Sequence, residues 1–349
     1  VTGRAGGSIL SDSTTRGQNL DEQMWGLAGV SAKLVQPIWD GFATRSRVRS
    51  AQSTLDSVKE RVFDTATSLS LDGIIAHIDL LRRRTIYALS EKNVAQHKAI
   101  LGQAQDRANL GADTAADVSQ AQSRLSRALS SLSEAKASLL VAEETYTRLT
   151  GMQAFGKLAP VTMPPEIFKG PEPVFDLAEK NNPKLAAYMK DIRAARAERE
   201  LADSAFYPTF NLEAGPDYTD RGGSSDRWIY SFDVLGTVRW NIFNSGADLA
   251  ERKAASARIR QSRQGMYNYI DDLKLDIEST WTNYQAAQEQ YKHYSKAIEY
   301  NKYTRTAYLE QFQIGKRSLL DVLDTESELY NSSTQAETAR GNILVGAYR

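Results

Sequence analysis

The chain has 349 residues, of which 43 are lysine or arginine and 43 are aspartate or glutamate, and it contains no cysteine. The balanced charge gives no support to a general nucleic-acid or anionic-membrane surface. The absence of cysteine excludes disulfides, thiolate metal sites and a cysteine nucleophile.

The first 40 residues are predicted to form two strands. Segments 1–10 and 25–34 flank a polar stretch, and each is about ten residues long, the length of a membrane-spanning strand. No run of eighteen apolar residues is present, and the opening residues lack the character of a signal peptide. We expect the chain to be trimmed at its start, because residues 182–208, which precede the later strands, have no counterpart before the first ones.

Residues 41–150 are predicted to form a long helical hairpin whose tip lies near Gly111. Proline is absent from residues 42–159, as long helices require. After the glycine, a seven-residue period pairs larger side chains with alanines three positions later, which is the seam of closely packed helices. Its members are Val118, Leu125, Leu132, Leu139 and Tyr146, with Ala121, Ala128, Ala135, Ala142 and Leu149.

The remaining chain repeats this order. Residues 151–182 hold most of the prolines and are predicted as a linker, and residues 183–206 as a helix. Residues 207–243 supply two more strands, because apolar and polar side chains alternate there on either side of a polar loop. Residues 244–349 form a second helical hairpin with its tip near Gly315.

The two halves are copies of one structural unit. Residues 110–118 return as residues 314–322, and residues 37–41 return as residues 241–246. Both landmarks keep an offset of 204 residues, give or take one inserted residue, which indicates a duplication. The predicted fold is therefore mostly α, with two strands and one long antiparallel hairpin in each unit.

The strands have two possible environments. Their alternation fits a lipid-facing surface and a sandwich core about equally well. Four strands do not close a membrane barrel, since the smallest outer-membrane barrels have eight. If the strands lie in a membrane, several chains must associate.

The chain resembles the TolC family of outer-membrane channel-tunnels over essentially its whole length. Residues 182–187 and 205–210 look like that family's helix leading into its strand, and residues 240–246 look like its strand exit. Residues 310–324 follow the family's second hairpin tip almost position for position. The resemblance implies a trimer in which twelve strands form one β-barrel in the bacterial outer membrane, with an α-helical barrel continuing through the periplasm.

The resemblance also implies a gate at the narrow end. Asp321 and Asp324 match two acidic rings around the closed pore, and Asp117 and Arg317 match a charged pair between adjacent hairpins. Phe312 stands where the family has a tyrosine, so the hydroxyl's hydrogen bond is lost. Converging carboxylates repel one another and attract cations. Spacing alone favours solvated acids in the first turn of a helix, and the resemblance reverses that preference.

The function that the resemblance implies is a passive exit duct. A periplasmic adaptor protein and an inner-membrane transporter of the ABC type would open it, and outer-membrane lipid would surround it. Residues 310–329 look closer to the type I protein secretion branch than to the drug-efflux branches. The alternatives are the outer component of a drug or metal efflux pump and, in another class, a soluble coiled-coil scaffold. The adaptor-docking residues implied are Leu110, Gly111, Ala112, Ile314, Gly315 and Lys316.

No constellation in the sequence predicts catalysis. The segment around Gly315 resembles the end of a phosphate loop, but Glu310 stands where that loop needs a glycine. His77, His97 and His293 lack metal-ligand spacing. We therefore expect no enzyme activity, no cofactor and no metal site.

Overall fold

The computed structural model describes residues 2–9, 24–154, 156, 158–165, 168–221 and 228–349. Long helices account for most of the described chain. In chain order the elements are β1 (Thr2–Ile9), β2 (Met24–Ser31), β3 (Leu34–Trp39), α1 (Ala43–Asn109), α2 (Ala115–Thr150), α3 (Pro171–Asn181), α4 (Pro183–Asp203), β4 (Thr209–Arg221), β5 (Trp228–Arg239), α5 (Ala247–Gln313) and α6 (Leu319–Tyr348).

The chain divides into two compact units. One comprises Val1–Lys59 and Ala186–Tyr267 and contains the sheet, whereas the other comprises Glu60–Leu185 and Asn268–Arg349 and contains the hairpin tips. The polar stretch at residues 11–23 and positions 222–226 of the loop at residues 220–226, which the sequence places between strands, lie outside the described residues.

Strand β4 organises the sheet. It pairs with β5 along one edge in an antiparallel register that places Tyr218 opposite Tyr230. Along its other edge β4 pairs with β2 near one end and with β3 near the other, and β1 pairs with β2. The described sheet therefore has five strands and not the predicted four, because the second predicted strand, residues 25–34, corresponds to β2 and a further strand, β3, follows it after a break.

The break between β2 and β3 has a steric cause. The carbonyl oxygen of Ala32 approaches β4 so closely that a Cβ on Gly215 would lie 1.9 Å from it, a distance that only glycine avoids. The Ala32 amide still donates to the carbonyl of Pro216 at 3.1 Å. Beside the break, Lys33 Nζ pairs with Glu213 Oε2 at 2.5 Å. The two short strands thus follow one edge of β4 as an interrupted strand.

Both faces of β5 are exposed in the described chain. Phe232 and Val234 are exposed on one face, and Leu235 is exposed on the other. No second sheet covers either face within the described residues.

The corners between strand and long helix show the duplication in the backbone itself. Gly41 and Phe42 both have positive φ, and so do Ser245 and Gly246, which follow 204 residues later. Because each corner needs two consecutive left-handed residues, the duplicated sequence landmark encodes a duplicated turn.

Helix α2 runs back along α1. Ile100 and Ala104 of α1 share an apolar cluster with Ala121 near the tip, whereas Leu80 of α1 shares another with Ala142 farther from it. The antiparallel order of these contacts is that of a hairpin. The alanines of the predicted seam are buried, namely Ala121, Ala128, Ala135 and Ala142.

The second hairpin is also antiparallel. Arg305 of α5 pairs with Glu326 of α6 near the tip, whereas Asp276 of α5 pairs with Arg349 at 2.7 Å at the far end of α6. None of the described helices combines the length and the apolar character needed to cross a lipid bilayer.

The segment predicted as a linker is partly ordered by the helices. It contains α3, and Arg84 of α1 donates to the carbonyls of Ala154 and, at 2.7 Å, of Gly156. These bonds hold the chain after α2 against the first hairpin.

Candidate functional site: the hairpin tips

Both hairpins turn through the same backbone motif. Gly111 and Gly315 have left-handed conformations, with φ of 74° and 72°, which favour glycine. At the first tip the amide of Ala112 donates to the Arg107 carbonyl at 2.8 Å, and the amide of Gly111 donates to Ala108 at 3.0 Å. The same two bonds recur at Gly315 and its successor, with lengths of 3.0 and 2.8 Å. They form a Schellman motif, which satisfies the last carbonyls of each long helix.

Each return helix then begins with a side-chain cap. The Thr114 amide donates to Asp117 Oδ2 at 3.0 Å, and the Asp117 amide donates to Thr114 Oγ1 at 3.2 Å, which is a capping box. At the second tip the Asp321 amide donates to Ser318 Oγ at 3.2 Å, and that hydroxyl donates to Asp321 Oδ2 at 2.8 Å. The hydrogen bonds from Thr114, side chain first, lower the pKa of Asp117. Asp117 and Asp321 thus occupy equivalent positions and cap their own helices.

The charged side chains beside the tips differ between the copies. At the first tip Arg107 Nε and Nη2 donate to the two carboxylate oxygens of Asp113 at 2.9 and 3.0 Å. The equivalent residues at the second tip are Gln311 and Arg317. The first tip therefore has its arginine before the glycine, and the second tip has its arginine after the glycine. There Arg317 Nε donates to Gln311 Oε1 at 3.3 Å.

Arg317 is held by its own hairpin. Its guanidinium carbon lies 3.9 Å from the ring centre of Tyr308, and its Nη1 lies 3.6 Å from Asp321 Oδ2. Asp117 is not among the recorded partners of Arg317 within the described chain. A single chain therefore does not contain the charged pair expected between them, and such a pair would need a second chain.

Phe312 lies inside the helix bundle. It is only 1% exposed, and the Arg107 guanidinium stands 4.7 Å from its ring centre. The apolar cluster around it joins both hairpins and consists of Ile100, Ala104, Ala121, Phe312, Leu319, Val322 and Leu323. The side chain expected at the gate is thus a core residue that packs the two tips of one chain together.

Asp324 is neutralised across the hairpins. Arg124 Nη2 of α2 lies 2.5 Å from Asp324 Oδ1 of α6. Arg124 also approaches His97 of α1, which is 3% exposed and whose Nδ1 has no partner. Burial, and secondly the charge of Arg124, lower the pKa of His97. The pair of Arg124 and Asp324, which sequence reasoning did not bring together, joins α2 to α6 behind the tip.

Two of the docking candidates are exposed apolar side chains at the tips. Leu110 is 83% exposed and Ile314 is 66% exposed, and both stand immediately before the left-handed glycines. Large apolar side chains so exposed at equivalent positions offer a contact for a partner.

The three histidines have separate surroundings. His77 Nε2 lies 2.9 Å from the Ala159 carbonyl oxygen, His293 lies exposed beside Glu289, and His97 is buried. Within the described ranges no group of three or more His, Asp or Glu side chains is placed to hold a metal ion.

Arg107, Asp113 and Arg124 are the tip residues that sequence reasoning missed. The repeat indicated the first two, because the charges at equivalent positions differ between the copies. Asp113 aligns with Arg317, and Arg107 aligns with Gln311. The repeat did not indicate Arg124, because its partner Asp324 lies on a helix of the other half.

The chain matches the family model described as outer membrane efflux protein over residues 4–152 and 174–346. Among curated relatives, outer membrane efflux protein BepC of Brucella suis is 25% identical over 320 residues, covering 91% of this chain and 70% of BepC. Alkaline protease secretion protein AprF of Pseudomonas aeruginosa is 22% identical over 348 residues, covering 97% of this chain and 71% of AprF.

Among solved structures, the outer membrane protein VceC of Vibrio cholerae superposes with a TM-score of 0.81 at 16% identity. The superposition covers 99% of this chain and 84% of VceC. At that identity the likeness establishes the fold, which agrees with the one expected from the sequence.

Proposed function

We propose that this chain, which belongs to the outer membrane efflux protein family, is the outer-membrane exit duct of a type I protein secretion machine. Family membership makes it a component of an outer-membrane efflux or secretion channel, in a family of channel proteins and not of enzymes. It also rules out the soluble scaffold, because the family resides in the bacterial outer membrane.

The observation that carries the proposal is the construction of the tips. Two turns with the same backbone conformation each present an exposed apolar residue, Leu110 or Ile314. The charged side chains beside the two turns differ. We infer that an adaptor protein docks on these turns. We place the gate on the charged side of the second hairpin, at Arg317, Asp321 and Asp324, with Asp117 of a neighbouring chain opposite Arg317.

The assembly we propose is a homotrimer. One face of β5 carries a row of exposed apolar side chains, Tyr230, Phe232, Val234 and Val238, which alternates with Ser231 and Asp233, as expected for strands that have lipid on one side. Three chains would bring their strands together into one barrel. In this proposal residues 1–40 and 207–243 form the barrel, and residues 41–150 and 244–349 form the periplasmic tunnel. Residues 151–182 and 183–206 form its linker and connecting helix.

The choice of secretion over efflux rests on two supports. One is the resemblance of residues 310–329 to the secretion branch, and the other is the similarity to AprF, whose name describes protease secretion. The similarity to BepC, named an efflux protein, supports the second candidate, the outer component of a drug or metal efflux pump. In both cases we propose a periplasmic adaptor and an inner-membrane transporter as partners, of the ABC type for secretion.

Charge reversal at Arg317 tests the gate. In Arg317→Glu the contact with Tyr308 is lost and a carboxylate faces Asp321, so the closed tip is destabilised. We expect a higher single-channel conductance than wild type in planar bilayers. The control is Lys292→Glu, a charge reversal on α5 of the same hairpin that breaks an exposed pair with Glu289. Equal conductance in all three proteins would count against the gate.

Deletion of the gene in the native host distinguishes secretion from efflux. Loss of one or a few proteins from the culture supernatant, with unchanged susceptibility to drugs and metals, supports the secretion duct. Increased susceptibility with an unchanged supernatant supports the efflux pump instead. Complementation with the wild-type gene must restore the lost property.

A further inference from the structure

The guanidinium of Arg107 joins the two hairpins of one chain. Two of its nitrogens bind the carboxylate of Asp113 at 2.9 and 3.0 Å on the first hairpin. The third nitrogen, Nη1, donates to the carbonyl of Phe312 at 3.0 Å on the second hairpin. The guanidinium carbon also lies 4.7 Å from the Phe312 ring centre. One side chain therefore makes an ion pair, a hydrogen bond to backbone and a cation–π contact across the tips.

The geometry makes these contacts stronger than those of an ordinary surface arginine. The pair with Asp113 is bidentate, which fixes the plane of the guanidinium, and both side chains are mostly shielded from solvent. The Phe312 carbonyl belongs to the last turn of α5, where helix carbonyls lack intrahelical donors and a positive charge is favoured. That carbonyl already accepts from the Gly315 amide, so Arg107 fills its remaining acceptor position.

The bridge is present in one direction only. The equivalents of Arg107 and Asp113 are Gln311 and Arg317, and the equivalent of Phe312 is Ala108. The second hairpin thus has no guanidinium at the position equivalent to Arg107. The first hairpin has no aromatic ring at the position equivalent to Phe312. The two copies share the backbone of the turn. They differ in their side chains, and this difference produces the contact from Arg107 on the first tip to Phe312 on the second.

We propose that Arg107 is the latch that fixes the second hairpin tip against the first within each chain. It is a positioning residue that acts through Phe312, and its role in closing the duct rests on the proposed function. Since Phe312 has no hydroxyl, the latch uses its carbonyl and its ring face instead. Opening by separation of the hairpins requires the Arg107 contact with Phe312 to break, whereas the ion pair with Asp113 stays intact on the first hairpin.

Distances between spin labels test the latch directly. The chain has no cysteine, so Leu110→Cys and Ile314→Cys place one label on each exposed tip. Mixing labelled chains with an excess of unlabelled chains leaves mainly distances within one chain. Electron–electron double resonance then measures whether the tips stay together. We expect one narrow distance distribution for the otherwise wild-type chain.

Arg107→Ala should shift part of that distribution to longer distances, raising the separated fraction roughly tenfold, as expected for losing one charge-assisted hydrogen bond. Arg107→Lys keeps the charge but not the bidentate pair, so it should give a smaller shift than Arg107→Ala. Asp113→Asn removes the anchor alone and should give a smaller shift in the same direction. It also tests the latch if the alanine variant does not assemble. Arg258→Ala is the matched control, because it removes a pair with Glu251 at 3.1 Å within one helix.

Unchanged distributions in Arg107→Ala and Asp113→Asn would overturn the latch. Conductance in planar bilayers separates this failure from failure of the proposed function. If Arg317→Glu raises the conductance while Arg107→Ala leaves the tip distances unchanged, the proposed duct is supported and the latch is refuted. If the tips separate in Arg107→Ala and no variant conducts, the latch is supported and the proposed duct is refuted.

Discussion

Removal of the Arg124 charge should make the proposed duct more selective for cations. Arg124 Nη2 lies 2.5 Å from Asp324 Oδ1, and the glutamine in Arg124→Gln would leave that carboxylate without its counter-charge. Asp324 is one of the acids that we place around the closed pore. In a trimer the substitution therefore adds three uncompensated negative charges at the gate.

The stability cost of this substitution is small. The Asp324 side chain is 51% exposed and the Arg124 side chain is 24% exposed, and pairs of this kind contribute about 0.2–1 kcal/mol. We therefore expect Arg124→Gln to fold and assemble like wild type, so that changes in conduction report on charge.

The size of the selectivity change follows from Coulomb's law. A unit charge about 10 Å from an ion contributes about 0.4 kcal/mol at the dielectric constant of water. Screening at roughly 0.1 M salt reduces this to about a third, so three charges give about 0.4 kcal/mol, which favours a cation and disfavours an anion about twofold each and changes the cation-to-anion ratio about fourfold. At roughly 0.01 M salt the Debye length triples, and the same charges change the ratio about twentyfold.

Reversal potentials in a salt gradient measure this ratio. Arg124→Gln should exceed wild type, Asp324→Asn should fall below it, and the double variant should return to the wild-type value, because its net charge is unchanged. The difference should grow on dilution. A ratio in Arg124→Gln equal to that of wild type, or a double variant that keeps the selectivity of either single variant, would refute the placement of Asp324 at the pore.

Three further predictions concern stability, measured by denaturant unfolding at fixed protein concentration. Gly315→Ala should lower the free energy of unfolding by about 1 kcal/mol, because φ is 72° and an alanine there is strained. The nearest atom to an added Cβ is 4.0 Å away, so this cost comes from the backbone and not from a clash. Gly102→Ala, in a helix with open space around it, should raise that free energy by up to about 1 kcal/mol; equal effects would contradict both. The pKa of His97 is lowered from 6.5 by burial and by Arg124, so the unfolded chain binds more protons. The stabilising contribution of neutral His97 is complete above the unfolded pKa of 6.5 and is lost as the pH falls through the folded pKa. The substitution His97→Phe should abolish this loss of stability. Equal acid sensitivity of the variant and the wild type would contradict this assignment.

Periodicity and duplication predicted most of the architecture. The heptad alanines of α2 are buried because a seven-residue period fixes which face of a long helix meets its partner. The break between β2 and β3 was not predictable from the strand pattern. It depends on Gly215 admitting the Ala32 carbonyl, a contact between segments almost two hundred residues apart.

The candidate site was predictable to the extent that it is local. Asp117 and Asp321 follow Thr114 and Ser318 by three residues, which is the spacing of a helix cap. The partners of Arg107 and Arg124 on the second hairpin lie about two hundred residues away, so no sequence spacing indicates them. A gate built from such contacts becomes visible only when the two hairpins are packed.

The division of labour at the tips explains why charge substitutions there are informative. The backbone of each turn is satisfied by a glycine motif and a capped return helix, and neither depends on Arg107, Arg317 or Asp324. Removing one of these charges therefore leaves the backbone of the turn satisfied and alters only side-chain contacts, which lie within one hairpin for Arg317 and also join the two hairpins for Arg107 and Asp324. The duplicated turns can thus keep the same fold while their side chains diverge.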